Sequence, residues 1–275
     1  MLNKTMLEGQ VAIITGASRG IGRATALMLA QAGAAVVLAA RSGQDIQTLA
    51  EEIKANGGQA LAIPTDVTSK TDVDWLLTST MRAFKRVDIL VNNAAVLQPV
   101  GKIWEVNVND WQKLLQINVI GPFLCARAVL PHMVERGTGR IINISSGAAN
   151  GNTPGWSAYC TSKAALNRFS GVLAAEVAHT DIEVSVVGPG TTDTAMQAEI
   201  REVDQNAFSR VDYFRQLHAT GQLYLPEEPA QLIVWLASDY GQGHNGAILN
   251  LDDATLREKL AQDLGLPPIP TRRVT

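Results

Sequence analysis

Seven short runs of almost uninterrupted apolar residues recur along the chain: Val11–Thr15, Ala35–Ala39, Ala60–Ile63, Ile89–Asn92, Arg140–Ile144, Glu183–Val187 and Ala247–Leu249. A strand with one wet face alternates polar and apolar residues, whereas a strand buried on both faces does not. The segments between the runs are long enough for helices and carry helical periodicity. This βαβ rhythm requires parallel strands joined by right-handed crossovers. The predicted fold class is α/β, a doubly wound parallel sheet of about seven strands with helices on both faces. Gly33 and Asn56-Gly57-Gly58 supply stop signals for the first two helices.

A chain of 275 residues, 46% of them hydrophobic, can bury such a core as one domain without disulfides or metals. No linker or internal repeat divides residues 1–275. The segment Thr191–Leu225 is more polar and breaks the rhythm, and at the carboxyl edge of the sheet it is placed to be a substrate lid. Residues 254–275 read as a C-terminal tail, either loose or strapped over a neighbouring subunit.

Several function classes are excluded by what the chain carries. A net charge of -3 argues against nucleic acid or an anionic membrane as partner. Cys125 and Cys160 have no CxxC partner and read as reduced thiols. The start, MLNKTMLEGQ, lacks the apolar core of a signal peptide, and no run reads as long enough to span a membrane, so a cytoplasmic location is expected. The four histidines show no metal-ligand spacing, so no metal site is expected.

The first strand runs directly into Thr15-Gly16-Ala17-Ser18-Arg19-Gly20-Ile21-Gly22, which opens a helix. A dinucleotide needs a tight strand-to-helix turn, a bare backbone for the pyrophosphate, and a helix N-terminus supplying amide donors. Glycines placed here meet all three needs. NAD sites usually carry a carboxylate at the end of the second strand, to bind ribose hydroxyls. Here stand Ala40, Arg41 and Ser42. Arg41, with Arg19 from the glycine turn, suits a 2′-phosphate through charge-assisted bonds. The expected cofactor is therefore NADP(H) in preference to NAD(H).

Tyr159 and Lys163 lie one helical turn apart. A carbonyl that accepts hydride needs a proton, and an ordinary phenol is a reluctant acid–base group near neutrality. A nearby ammonium, helped by the positive ring of oxidised nicotinamide, is expected to lower the phenol's pKa into a useful range.

Together these motifs resemble the short-chain dehydrogenase/reductase family. TGASRGIG is similar to its TGxxxGxG turn, which implies that Gly16, Ser18, Arg19, Gly20, Ile21 and Gly22 bind cofactor, and the family's fold is Rossmann-like. Asp66-Val67 resembles the adenine-contacting pair. Asn92-Asn93-Ala94-Ala95 resembles the Asn-Asn-Ala-Gly motif, with Ala95 in place of glycine and Asn93 and Ala94 at the cofactor. Pro189, Gly190, Thr192 and Thr194 resemble the segment that grips the nicotinamide carboxamide. The implied catalytic set is Asn118, Ser146, Tyr159 and Lys163, with Ser146 thirteen positions before the tyrosine. Tyr159 and Lys163 would also touch cofactor. Ser146 would bond the substrate oxygen, and Asn118 would hold a water in a proton relay. The likeness spans about residues 7–252, and the usual closing Gly-Gly is replaced by Asp253-Ala254.

The implied activity is hydride transfer between NADP(H) and a small ketone or secondary alcohol, in a homodimer or homotetramer joined by the helices around Asn118 and Tyr159. The alternatives are a non-catalytic NADP-binding regulator, or a sugar epimerase or dehydratase of the same superfamily. Trp156, in the loop before Tyr159, reads equally as substrate wall or as packing. Tyr213, Phe214 and Tyr224 are weaker candidates for the wall. Trp75, Trp104, Trp111 and Trp235 read as core or interface packing.

Overall fold

The computed structural model describes residues 2–272. Its centre is a seven-stranded parallel sheet in the order β3-β2-β1-β4-β5-β6-β7. The strands are β1 (Val11–Thr15), β2 (Ala35–Ala40), β3 (Gln59–Pro64), β4 (Ile89–Asn92), β5 (Thr138–Ile144), β6 (Asp181–Gly188) and β7 (Ile248–Asn250). Each predicted run is a strand, with ends shifted by at most two residues. Every residue of β1, β2 and β4 is buried, as their unbroken apolar sequences require. The edge strand β3 is buried only in part, since nothing pairs with its outer side.

Among the described residues ten α-helices surround the sheet: α1 (Gly20–Gln31), α2 (Gly43–Ala55), α3 (Lys70–Phe84), α4 (Val108–Leu115), α5 (Gly121–Arg136), α6 (Ser157–Glu176), α7 (Ala195–Glu202), α8 (Val211–Ala219), α9 (Glu227–Ala237) and α10 (Ala254–Leu264). One face of the sheet packs Leu29 of α1, Ile46 of α2 and Leu232 and Trp235 of α9. The other packs Val73 of α3, Val129 and Met133 of α5 and Leu173 of α6. A third apolar cluster joins Trp156 and Tyr159 to Phe208, Phe214 and Leu217 of the segment after β6. The chain reverses its order of strands between β1 and β4, and in such a sheet this switch opens a crevice at the carboxyl ends.

Three expectations need correction. Residues 254–264 form α10, capped by Asp253, whose Oδ1 accepts from the Thr255 and Leu256 amides. The stretch beyond α10 packs on its own chain: Arg257 donates to Leu251 O and to Thr271 Oγ1, and Arg272 donates to Leu223 O and to Glu228 Oε1. The last three residues of the predicted tail lie outside the described residues. The polar segment 191–225 is not irregular but folds α7 and α8, closed at its base by a bridge between Thr192 and Tyr224. Finally, Val108–Arg136 is one continuous helical stretch, long and apolar enough by length and composition to cross a membrane. Its apolar character has another source here: Leu114, Cys125, Ala126, Val129 and Met133 are buried in the protein.

That stretch is not a uniform α-helix. Between α4 and α5, Gln116–Ile120 form a π turn, in which one extra residue is accommodated. Asn118 sits within it, which explains how this poor helix former is tolerated. Among the tryptophans, Trp235 is fully buried, whereas Trp75 and Trp104 are mostly exposed. Both cysteines are free thiols, Cys125 buried and Cys160 half-buried.

Candidate active site

A cleft of about 870 Å³ runs along the carboxyl ends of the strands. At its floor the β1–α1 turn presses against the end of β4. Asn93 Nδ2 donates to Thr15 O and Gly16 O, and the amides of Asn93 and Ala94 donate to Thr15 Oγ1. Gly16 has φ +64°, and a Cβ there would stand 2.9 Å from Ala94 Cα. Gly22 faces a tighter limit, because its Cβ would lie 2.3 Å from Gly16 O. No side chain caps α1, and its first turn holds no acidic residue. Those amides and the positive end of the helix dipole are therefore available to an anion. The bare, glycine-lined cradle fits the pyrophosphate of a dinucleotide.

Gly16, Ser18, Arg19, Gly20 and Ile21 line the cleft, as do Arg41, Asp66, Val67, Asn93, Ala94, Pro189, Gly190, Thr192 and Thr194. Gly22 does not; it lies beneath the turn and lets the turn close. Arg19 and Arg41 stand at the β2 end and are exposed. Among the described residues Arg19 has only Glu199 at 4.0 Å as a partner, a loose surface contact that a phosphate can displace. Asp45 also lines this end, where Ser42 Oγ donates to its Oδ2 at 2.5 Å. Asp66 Oδ1 accepts from the Thr68 amide and hydroxyl, which fixes its carboxylate at the cleft edge. At the far end Thr192 is buried and donates to Pro189 O, and Thr194 caps α7.

Ser146, Tyr159 and Lys163 meet on the opposite wall. Ser146 lies just past β5, and its Oγ accepts from the Ala148 amide at 3.1 Å. Tyr159 and Lys163 occupy successive turns of α6. Lys163 Nζ lies 5.7 Å from the Tyr159 ring centroid and donates to Ile144 O at 2.8 Å. Burial pushes the Tyr159 phenol up to about 12, and a hydrogen bond with Ser146 opposes this only in part. The same burial brings the Lys163 ammonium down to about 8. The expected fall in the phenol's pKa is thus reversed in the protein alone, because desolvation of the phenolate outweighs its polar neighbours.

Asn118 is not brought to the cleft surface. It is buried behind the wall, where its Oδ1 accepts from the Val96 amide and its Nδ2 donates to Val96 O and to Ser162 Oγ. Ser162 Oγ donates in turn to Tyr159 O at 2.8 Å. Asn118 therefore ties the π turn, the Val96 segment and the turn of α6 that carries Tyr159 together.

Sequence reading also missed a polar pair one turn further along α6: Ser145 Oγ donates to Asn167 Oδ1 at 2.6 Å and anchors the strand end carrying Ser146. A polar residue ending a buried strand was the available signal. Among the described residues no cluster of histidine, cysteine or acidic side chains could hold a metal.

The remaining wall is aromatic. Trp156 is buried, lines the cleft, stacks on Phe208 at 4.9 Å and meets the Tyr159 ring edge-on at 5.5 Å. It is packing and wall at once. Phe214 and Tyr213 of α8 line the same end, whereas Tyr224 is buried where segment 191–225 closes on Thr192, its hydroxyl donating to Asp252 Oδ1.

Residues 10–205 match the short chain dehydrogenase family. The 3-oxoacyl-[acyl-carrier-protein] reductase of Synechocystis is 38% identical over 250 residues, which cover 90% of this chain and 97% of that protein. The Thermotoga maritima enzyme of the same description is 32% identical, over 90% of this chain and 97% of the other. Among solved structures, a short chain dehydrogenase from Burkholderia cenocepacia in complex with NADP superposes with a TM-score of 0.78 at 31% identity, covering 89% of this chain and 97% of that one.

Proposed function

This chain belongs to the short chain dehydrogenase family of oxidoreductases, and from that premise we propose that it uses NADP(H) to interconvert a ketone and a secondary alcohol, with Tyr159 as general acid–base. The observation that carries the reading is the meeting of Tyr159, Lys163 and Ser146 on one wall of a cleft whose floor is the glycine cradle.

The Gly16–Gly22 turn and the start of α1 would hold the pyrophosphate, Asp66 and Val67 the adenine, and Pro189, Gly190, Thr192 and Thr194 the nicotinamide end. Arg19 and Arg41 would meet the 2′-phosphate, where no carboxylate replaces them at the end of β2. When bound, the cofactor supplies hydride in reduction and a positive ring in oxidation. Ser146 donates a hydrogen bond to the substrate oxygen and shares its developing charge. Tyr159, held protonated at neutral pH by burial, donates the proton that completes the alcohol. Lys163 keeps a positive charge beside the phenol and stabilises the phenolate left behind. Asn118 acts as a positioning residue, through Val96 and Ser162. A 3-oxo carbonyl such as that named for the two relatives suits this chemistry. Exposed Ile120 and Phe123, at the π turn and α5, and Val172 of α6 favour a homodimer or homotetramer through these helices.

The test is oxidation of NADPH in the presence of a panel of ketones, with Tyr159→Phe and Arg19→Ala/Arg41→Ala proteins alongside. Tyr159→Phe is expected to lose turnover by about 10²–10⁴-fold with NADPH binding unchanged. The double arginine variant should bind NADPH at least tenfold more weakly and NADH as before. Tight NADPH binding without turnover on any ketone would instead identify a non-catalytic regulator.

A further inference from the structure

We propose that Arg210 selects substrates whose ketone is carried on an apolar body bearing a carboxylate, a refinement that rests on the reductase reading above. Arg210 stands just before α8 in the lid and lines the substrate end of the cleft. Its guanidinium lies 5.0 Å from the Tyr213 ring centroid and 5.9 Å from that of Phe214. The other lid arginines are committed elsewhere. Arg201 pairs with Asp193, and Arg215 pairs with Asp212 while donating to Arg201 O. Among the described residues, no carboxylate pairs with Arg210 within 4.0 Å and no acceptor takes a hydrogen bond from it. Asp252, the acidic side chain lining the cleft nearest the lid base, is already held by Tyr224.

Arg210 is exposed, and a guanidinium held near two aromatic rings with no partner of its own leaves its N–H donors free for a carboxylate, which it can receive bidentately. The cleft between this cation and the reacting group is walled largely by aromatic and aliphatic side chains, with Thr153 and Gln197 also in its lining. Trp156 lies 5.5 Å from Tyr159 and 5.5 Å from Phe214, and Ile200 and Met196 line the same end. The cleft therefore offers, in order, a proton donor, an aromatic wall and a fixed positive charge. A single molecule of modest length can satisfy all three. The Arg210 side chain makes no capping bond to α8, so replacing it leaves the helix start intact.

The test separates binding from turnover. Calorimetry on the protein with NADPH would compare 4-phenylbutanoate with 4-phenylbutan-1-ol, neither of which NADPH can reduce. Wild type is expected to bind the acid at least tenfold more tightly than the alcohol. Arg210→Met should remove that preference while leaving the alcohol unchanged, and Arg210→Lys should restore part of it. In turnover, 4-(4-acetylphenyl)butanoate, whose ring and propylene chain separate ketone from carboxylate, should lose at least tenfold in kcat/KM in Arg210→Met, through KM, while its methyl ester changes by less than twofold. Equal affinity for acid and alcohol in wild type, or an equal loss for both in Arg210→Met, overturns the proposal. Acid-selective binding without ketone turnover would leave Arg210's role standing and defeat the reductase reading instead.

Discussion

Replacing Lys163 with methionine should abolish turnover and yet relieve the cofactor-free protein of a pH-dependent burden. The ammonium is buried, and in the folded chain its pKa falls from the ordinary 10.5 to about 8. Keeping it charged in the fold therefore costs roughly 3 kcal/mol at neutral pH. Below pH 8 both folded and unfolded chains hold the proton, and the full cost is present. Between pH 8 and 10.5 the folded chain releases the proton while the unfolded chain keeps it, so wild-type stability rises with pH across that window. Lys163→Met has no such proton. It does lose the bond to Ile144 O, a cost of about 1–3 kcal/mol that does not vary with pH. Urea unfolding of both proteins at fixed concentration, at pH 7 and pH 9.5, isolates the titrating part. Wild type should gain about 2 kcal/mol on the variant between those two values. Parallel stabilities at the two pH values would refute the claim that this ammonium sits in a desolvated site.

Two further outcomes are expected from the geometry. Gly22→Ala puts a methyl group 2.3 Å from Gly16 O and 2.5 Å from Asn93 Nδ2, so the β1–α1 turn must open. Stability should fall by about 1–3 kcal/mol in urea unfolding, and NADPH titration should show weakened binding. Asn118→Ala removes the partner of the half-buried amide and carbonyl of Val96 and one bond to Ser162. A loss of about 2–4 kcal/mol is expected in the same measurement, with the pH profile of kcat displaced because the turn carrying Tyr159 loses its tie.

How much could be read in advance divides along a physical line. The strands were legible because burial on both faces leaves an unbroken apolar signature, as in Ala35–Ala40. The glycine turn was legible because close backbone approach permits few alternatives at Gly16 and Gly22. Tyr159 and Lys163 were placed on one wall by helical spacing alone. Their proton affinities were not, because these depend on how completely surrounding elements exclude water, a tertiary property. Asn118 shows the same limit: its residue type marked it as unusual, but only the packed structure puts it behind the wall with Val96 and Ser162. The helices α7, α8 and α10 were missed for a different reason. Their apolar faces are short, and their burial comes from distant residues, the Trp156 cluster for α7 and α8 and helix α9 for α10, which no local pattern reveals.

Chain ends are commonly trimmed or extended without consequence. That convenience does not extend to this one. The stretch after α10 returns to Leu223 and Glu228, and Leu223 adjoins the tyrosine that pairs with Thr192 at the far end of the cleft. A deletion stopping at Gly265 would remove the ties from Arg272 to Leu223 and Glu228. Shortened versions prepared for crystallisation or display would then differ from this chain at the connection between α8 and α9, beside the far end of the cleft.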